Sequence, residues 1–312
     1  DRASRQRLLQ FLWNSYQVHV EEARGLPEGA VDDYTQNLVA HTEAAGGDLA
    51  IAARDRGLVD ELLGRTELRD VMIGHVGPSE DDETTYSAVR MYEYMSQLAL
   101  RGASKENAQN VAVVIAAGSI LDGSHPPGTI GGDSTARLLK RALDDDDVQA
   151  VVLRVDSGGG SAFASEVIAE EVRKLQAAGK PVVASMGSVA ASGGYWISMD
   201  ADRIYASPTT ITGSIGIFGM FPTFQRTLAA VGVTTDGVGT TPWSGQLRPD
   251  REMSDEVKRL FQISINDGYN DFIGGVANGR DLDIEFVDQI GQGQVWSGQE
   301  ALANGLVDEL GG

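Results

Sequence analysis

The stretch VQAVVLRVDSGGGSAFASEVIAEEVRKLQAAGKPVVASM, residues 148–186, decides the fold. It opens with a β-branched apolar run, which is typical of a strand buried on both faces. A glycine run follows, and then a segment in which Ile168, Val172 and Leu175 fall on one face of a helix that Gly179 ends. The closing KPVVASM predicts the next strand. Strand, helix and strand in this order predict a parallel βαβ unit.

The alternation continues on both sides of this unit. NVAVVIAAGSI, from Asn110, predicts an earlier buried strand, and GGDSTARLLKRAL predicts a helix with Asp133 or Ser134 as its N-cap. The acidic run at residues 144–147 predicts a loop, and RIYASP predicts a later short strand. The predicted fold class is therefore α/β with a mostly parallel sheet.

Two glycine clusters follow neighbouring predicted strands: DSGGGSA at residues 156–162 and MGSVAASGG at residues 186–194. In a parallel sheet, ligands bind at the carboxyl ends of the strands. Backbone amides left free there can stabilise a developing oxyanion. Phosphate binding is not favoured, because DSGGGSA matches neither GxGxxG nor GxxxxGK[ST]. Glycines that only turn the chain explain one such cluster more easily than two at adjacent strand ends.

Ser192, in SVAASGGYWIS, is the candidate nucleophile. A serine at the start of a helix is most often only a cap. Here Gly193 and Gly194 follow it, which weakens a helix but leaves room for a substrate backbone. The stretch lacks the GxSxG pattern, so an α/β-hydrolase elbow is not favoured. No histidine, aspartate or lysine stands beside Ser192, so the local sequence does not identify its base.

The composition excludes several classes of function. A formal net charge of -20, without a basic stripe, makes nucleic acid an unfavourable partner. The chain has no cysteine and 4 scattered histidines, which predicts neither a metal site nor another cofactor. No apolar run is long enough to span a bilayer, so the chain is expected to be soluble. Its start, DRASRQRLLQ, resembles neither a signal peptide nor an initiator context, which predicts a fragment of a longer protein.

An internal repeat predicts the domain organisation. GLVDEL occurs at residues 57–62 and 305–310, and each copy is preceded by a similar helical stretch, RLLQFLWNSY and RLFQISINDGY. Two matches in the same order at nearly the same separation favour a duplication. The predicted segments are the C-terminal tail of a first repeat at residues 1–65, a linker and connecting helix at residues 66–109, and a complete second repeat that carries the serine at residues 110–312.

Four motifs together resemble one family. SMGSVAASGGYWIS, TITGSIGIFGM, DSGGGSAFASEV and GQVWSGQEALANGLVDELGG are similar to signal peptide peptidase A, also called protease IV, in its long double-repeat bacterial form. The resemblance covers essentially the whole chain. It implies a Clp-protease and crotonase-like fold and a serine endopeptidase with a Ser-Lys dyad. It also implies degradation of released, apolar signal peptides at the periplasmic face of the bacterial inner membrane, by a homo-tetramer held there by a membrane segment that this chain lacks.

The resemblance assigns roles to residues. It makes Ser192 the nucleophile, gives the oxyanion hole to Gly193 with Gly159 or Gly160, and makes Ser214 the group that positions the lysine. The family usually has Ser-Pro-Gly-Gly where this chain has Ser-Gly-Gly-Gly from Ser157. This difference leaves open whether Gly159 or Gly160 is the second residue of the oxyanion hole. The expected apolar cleft is lined by side chains near Tyr195, Trp196, Ile215, Ile217, Phe218 and Met220, with ordinary core as the alternative for about half of them.

The resemblance also implies where the base lies. It places the lysine in the first repeat, just ahead of RLLQFLWNSY and therefore upstream of this chain. The corresponding part of the second repeat, residues 240–243, contains no lysine. The lysines present are expected to be surface or strand-start charges and not the base: Lys105, Lys140, Lys174, Lys180 and Lys258. Without a base, the oxyanion hole alone would leave a rate on the order of 10³-fold over water.

Two other functions stay open at this point. A crotonase-type acyl-CoA enzyme would share the fold and the glycine oxyanion hole, but it needs a carboxylate where this strand end offers a serine. A non-catalytic scaffold would use Ser192 only as a helix cap.

Overall fold

The computed structural model of the protein describes residues 2–80, 82–102, 109–238 and 244–312. By its internal contacts the chain forms two compact units, one of residues 1–9 with 109–312 and one of residues 10–108. Among the described residues, no helix combines the length and the apolar character needed to cross a membrane. The predicted division into a repeat tail, a linker and a complete repeat stays a prediction.

Helices make up the first part of the chain. They are α1 (Arg2–Arg24), which begins in the larger unit, then α2 (Ala30–Gln36), α3 (Leu38–Ala44), α4 (Leu49–Asp55), α5 (Arg65–Val76) and α6 (Met91–Gly102). In the smaller unit, Glu21 is buried and its carboxylate accepts the N–H of buried Val31 at 3.0 Å. Asp48 caps α4 by accepting the N–H groups of Ala50 and Ile51.

The larger unit alternates strands and helices. Its first half contains β1 (Asn110–Ala117), β2 (Ile120–Leu121), β3 (Ile130–Gly131), α7 (Gly132–Asp144), β4 (Val148–Ser157), α8 (Ala162–Ala177), β5 (Val182–Ala191) and α9 (Gly193–Trp196). Its second half contains β6 (Arg203–Ala206), β7 (Ile211–Gly213), α10 (Gln225–Ala230), α11 (Asp255–Arg280), α12 (Ile284–Ile290), β8 (Val295–Ser297), α13 (Gly298–Ala303) and β9 (Glu309–Leu310).

The main sheet has the order β1-β4-β5-β6-β9, and every pair along this path is parallel. β7 pairs with β5 in parallel and with β8 in antiparallel orientation. The predicted α/β class with a mostly parallel sheet is therefore confirmed. Of the loop predicted at residues 144–147, residues 145–147 connect α7 to β4, whereas Asp144 is the last residue of the helix.

β5 is longer than the sequence predicts. The strand was expected to end near Met186, but it continues to Ala191. Its first half pairs with β6, and its last residues, from Val189, pair with β7. The Asp156 carboxylate supports this switch, because it accepts the N–H of Val189 at 3.1 Å and would lie 2.8 Å from a Cβ built on Gly187. Gly187 is therefore part of the strand and makes room for Asp156.

The helix that follows β4 agrees with its predicted face and end. Ile168, Val172 and Leu175 are fully buried against the sheet. Gly179 has φ +79°, and its N–H donates to the carbonyl of Gln176 at 2.9 Å, which closes α8. The burial of this helix face places the start of α8 beside the end of β4, where the glycine run lies.

The predicted N-cap of α7 is wrong. The helix begins at Gly132, its N-cap is Gly131, and no side chain caps it. Asp133 lies in the first turn, and Ser134 donates its hydroxyl to the Gly131 carbonyl at 3.2 Å. The chain passes so close to residue Gly123 that a Cβ on Gly131 would lie 2.6 Å from the Gly123 oxygen. The close approach of Gly123 therefore explains why a glycine, and not a capping side chain, stands at the N-cap.

Candidate active site

Ser192 occupies the single residue between β5 and α9. Its backbone has φ 54° and ψ -122°, which is a strained conformation for a residue with a side chain. The N–H of Ser192 donates to the Gly213 carbonyl at 2.8 Å, so β7 holds this conformation. The Ser192 hydroxyl makes no cap hydrogen bond. The interpretation of this serine as a mere helix cap is therefore wrong.

Ser192 lines a cavity of about 230 Å³ between the two glycine clusters. The walls are Gly160, Ser161 and Ala162 from the end of β4 and start of α8, Ser192, Gly193 and Trp196 from the end of β5 and α9, Gly216, Ile217 and Phe218 from the segment after β7, and Phe272 from α11. The clusters predicted to meet at adjacent strand ends therefore do meet. The serine is half-buried and accessible from this cavity.

Gly159 packs directly against the serine. It has φ +96°, and a Cβ built on it would lie 2.6 Å from the Gly193 nitrogen and 2.8 Å from Ser192 Cβ. Only glycine fits at this position. The Gly159 N–H already donates to Ser157 Oγ at 3.0 Å, and Ser157 Oγ donates in turn to the Gly118 carbonyl at 2.7 Å. The amide of Gly159 is therefore engaged in holding the loop.

Gly160 and Gly193 present a pair of neighbouring amides. A Cβ built on Gly193 would lie 3.2 Å from the Gly160 nitrogen. Within the described chain, neither N–H donates a hydrogen bond to another residue. Both glycines line the cavity of Ser192. Backbone amides are nearly always paired, so two unpaired donors beside one cavity form an arrangement suited to an oxygen that carries negative charge.

Ser214 is held beside the serine by the same strand. It has φ 49°, and its N–H donates to the Gln294 carbonyl at 2.7 Å. The preceding residue, Gly213, supplies the carbonyl that accepts the Ser192 N–H. Gly213 and Ser214 both have a positive φ at the end of β7, which is unfavourable only for Ser214, and hydrogen bonds to Ser192 and Gln294 hold them in place. Ser214 therefore directly follows the residue whose carbonyl accepts the Ser192 N–H.

Two residues predicted to line the cleft belong to the core. Tyr195 is fully buried and its hydroxyl donates to the Leu306 carbonyl at 2.9 Å. Burial raises the pKa of Tyr195 well above its usual value. Ile215 is also fully buried. Phe218 does line the cavity and is 87% exposed.

Phe272 is a cavity residue that the sequence did not indicate. Its ring lies 4.5 Å from that of Trp196, centroid to centroid, at 33°. The Trp196 indole N–H donates to Glu166 at 2.9 Å, which fixes the ring. Arg173 pairs with Glu166 and, at 2.8 Å, with Asp200. Burial raises the pKa of Asp200, although Arg173 opposes the shift. A polar cluster therefore supports one aromatic wall of the cavity.

The described lysines are engaged elsewhere. Lys180 donates to the carbonyls of Ala142, Leu143 and Asp145 at 2.9, 2.9 and 2.7 Å, which caps the end of α7. Lys180 lies before β5 and Ser192 lies after it, so the length of that strand, roughly 30 Å, separates the two residues. The others form ion pairs with carboxylates: Lys140 with Asp144, Lys174 with Glu170 and Glu171, and Lys258 with Glu252 and Asp255. Lys105 and residues 240–243 lie outside the described residues.

Comparison with known proteins identifies the family. The model of Peptidase family S49 matches residues 174–312. Protease 4 of Haemophilus influenzae is 41% identical over 310 residues, which cover 99% of this chain and 50% of that protein. A putative protease of Synechocystis is 37% identical over 186 residues, 59% of this chain and 67% of that protein. The chain belongs to peptidase family S49. The family recognised from the sequence motifs is thereby confirmed.

The comparisons also give the share of the relative that is matched and one similar solved structure. The chain spans about half the length of the Haemophilus relative, since it covers 50% of that protein. Among solved structures, a mutant ClpP1 from Listeria monocytogenes is similar at 12% identity, covering 64% of this chain and 90% of that chain, with a TM-score of 0.43.

Proposed function

We propose that the whole protein is a serine endopeptidase and that Ser192 is its nucleophile. One observation carries the proposal: a serine in a strained conformation caps nothing and lines a cavity beside two unpaired amides. Strain held by surrounding structure is common where a side chain must be presented for chemistry. Membership of peptidase family S49 supports the same activity.

The proposed reaction begins when Ser192 Oγ attacks the carbonyl carbon of a peptide bond and its proton passes to a base. The carbonyl oxygen becomes an oxyanion, which the amides of Gly193 and Gly160 stabilise by donating hydrogen bonds. Gly160 is preferred to Gly159 because the Gly159 N–H already donates to Ser157 Oγ at 3.0 Å. Collapse of the intermediate expels the amine, which takes the proton from the base, and water then hydrolyses the acyl-enzyme.

The proposed base is a lysine supplied by a part of the whole protein outside this chain, positioned by Ser214. A lysine serves as a base only when burial or a nearby positive charge lowers its pKa toward neutrality. Two observations support this proposal. The four described lysines all donate to carbonyl or carboxylate oxygens, and the Haemophilus relative is about twice as long as the matched region, since 50% of it is covered.

The proposed substrates are apolar peptides, and signal peptides already released in the membrane are the specific class. Apolar rings on the cavity walls support this assignment: Trp196, Phe218 and Phe272. A homo-tetramer at the periplasmic face of the bacterial inner membrane, with a membrane segment elsewhere in the whole protein, completes the proposal.

The test is hydrolysis of a short apolar peptide ester by this chain and by the whole protein, each with and without Ser192→Ala. We expect fast turnover only in the whole protein, and its loss in the variant. Lys180→Met in the whole protein is the matched control, and we expect it to keep full turnover. Equal turnover by both proteins would refute an external base, and turnover that survives Ser192→Ala would refute the nucleophile.

A further inference from the structure

A second, larger cavity adjoins the cavity of Ser192. Its volume is about 670 Å³, and Ile217 lines both cavities. Its walls combine an apolar group, Phe221, Phe224, Phe261 and Ile265, with polar and charged side chains that include Arg226, Glu252 and Lys258. None of the roles proposed above uses these residues.

The two cavities share two walls. Gly216, Ile217 and Phe218 line the cavity of Ser192, and the segment continues through Gly219 to Phe221 in the larger one. Opposite this segment runs α11, with Phe272 in the first cavity and Ile265 and Phe261 in the second.

The segment follows the helix closely in three successive contacts. A Cβ built on Gly268 would lie 3.7 Å from Ile217 Cγ1, and one built on Gly219 would lie 3.5 Å from Ile265 Cδ1. The rings of Phe221 and Phe261 are 5.0 Å apart, centroid to centroid. The two cavities therefore lie one after the other along α11, with Ile217 in the wall of both.

The larger cavity contains an unsatisfied acceptor. Gln225 lines it, and Gln225 Oε1 is buried with no hydrogen-bond partner in the described part of the chain. A buried carbonyl oxygen without a donor is unfavourable, and rotation of the Gln225 side chain toward the cavity would let this oxygen accept a backbone N–H of an occupant. Two cations line the same cavity: Lys258, which is paired with Glu252 and Asp255, and Arg226. The apolar side chain of an extended peptide matches the aromatic part of this lining.

The distance between the two cavities along α11 determines which substrate residue would reach the larger one. Phe261 and Phe272 are eleven residues apart on α11, which corresponds to about 16 Å along the helix axis. An extended peptide covers that distance in about five residues. We propose that the larger cavity is a remote substrate subsite, which holds an apolar side chain about five residues from the bond at Ser192. In this subsite Gln225 accepts a substrate backbone N–H. The inference rests on the proposed function for the identity of the occupant.

Peptide binding tests the subsite without catalysis. The probes are two fluorescently labelled, leucine-rich peptides of three and eight residues, and the protein carries Ser192→Ala so that it cannot turn over. We expect the longer peptide to bind at least tenfold more tightly in fluorescence anisotropy. Ile265→Ala should weaken binding of the longer peptide on the order of tenfold and leave the shorter one unchanged. Ile263→Ala, at an exposed position of the same helix outside the cavity, is the matched control and should change neither.

Each outcome decides the proposal. No binding of the longer peptide, equal binding of the two peptides, or equal loss for both in Ile265→Ala would overturn the subsite. Sedimentation of the same variants tests whether the cavity holds a second copy of the chain instead of a peptide. Dissociation of an oligomer by Ile265→Ala, with peptide binding intact, would show that it does. Ester hydrolysis is measured separately, so length-dependent binding without any hydrolysis would uphold the subsite and refute the peptidase.

Discussion

The backbone N–H of Ser192 donates to the carbonyl oxygen of Gly213 at 2.8 Å, and this bond joins the end of β5 to the end of β7. It fixes the serine at a positive φ that an unrestrained residue would leave. Because the next residue after Gly213 is Ser214, the same strand end sets both the candidate nucleophile and the residue proposed to position its base. The pairing of β5 with β7 therefore positions both serines. Close contacts at glycines hold the surrounding loops.

Gly159→Ala should abolish activity through direct contact with the serine. Its new methyl group would lie 2.6 Å from the Gly193 nitrogen and 2.8 Å from Ser192 Cβ, at a backbone φ of +96°. We expect kcat for a short ester to fall on the order of 10²-fold or more in the whole protein, because the oxyanion hole is displaced.

Gly158→Ala is the matched control for this change. A Cβ at Gly158 has nothing within 4 Å and its φ is not positive. We expect wild-type kcat within about twofold, as for most surface substitutions. A similar loss in both variants would mean that the loop tolerates no side chain at all, and the specific contact with Ser192 would be refuted.

Ser192→Ala should leave the stability of the fold unchanged while it removes activity. The hydroxyl of Ser192 caps no N–H, so its removal leaves no buried group unpaired. We expect the free energy of unfolding to change by less than about 0.5 kcal/mol in urea denaturation.

A genuine cap gives the contrast. Ser297 is buried and its Oγ accepts the Glu300 N–H at 3.2 Å in a capping box. Ser297→Ala should cost about 1 kcal/mol of stability. If Ser192→Ala costs as much as Ser297→Ala, then Ser192 has a structural role that the hydrogen bonds do not reveal.

The sequence predicts the features that depend on local pattern. Periodicity gave the buried face of α8, and Gly179 marked its end, because both follow from spacing along one helix. The meeting of two glycine clusters followed from parallel topology, in which strand ends share one edge. The glycines after Ser192 also mark it, since they are unfavourable in a helix unless space is needed.

The remaining features depend on contacts distant in the sequence. Nothing local distinguishes Gly159 from Gly160; the difference is that Ser157 Oγ accepts the N–H of the first. Tyr195 carries the same apolar character as Trp196, yet one side chain reaches the Leu306 carbonyl and the other lines the cavity. Phe272 lies eighty residues beyond Ser192 and is brought to the site only by the packing of α11.

Tyr195→Phe and Phe218→Ala should affect different properties, because one residue is in the core and the other lines the cavity. Loss of the Tyr195 hydroxyl leaves the Leu306 carbonyl without its donor, so we expect a stability loss of about 1–2 kcal/mol and an unchanged KM for an apolar peptide. Phe218 is 87% exposed, so its truncation should raise KM severalfold and leave the unfolding midpoint unchanged. Steady-state kinetics and urea denaturation of the whole protein check both. A raised KM for Tyr195→Phe would contradict the assignment of Tyr195 to the core and would indicate that it contacts the substrate.

Arg173→Met should destabilise the protein in a manner that depends on pH. Arg173 pairs with Glu166 and with Asp200, whose side chain is 14% exposed, so the variant leaves a mostly buried carboxylate without its cation. We expect a loss of about 1–2 kcal/mol at pH 7, between the values typical of surface pairs and of fully buried pairs, because the Arg173 side chain itself is 41% exposed. Lys140→Met, at the surface of α7, removes a pair with Asp144 in which both side chains are 59% exposed, and it should cost less than about 0.5 kcal/mol.

The sign of the pH effect follows from the pKa of Asp200. Burial already raises that pKa, and loss of Arg173 removes the interactions that lower it, so the pKa of Asp200 rises further in the variant. A carboxyl whose pKa is higher in the folded state than in the unfolded state destabilises the fold above that pKa and ceases to do so once it is protonated. The deficit of Arg173→Met should therefore be largest at neutral pH and shrink as the pH falls toward the pKa of Asp200. Urea denaturation of the variant and the wild type at several pH values measures this difference, and a deficit that stays constant or grows on acidification would contradict the assignment to Asp200.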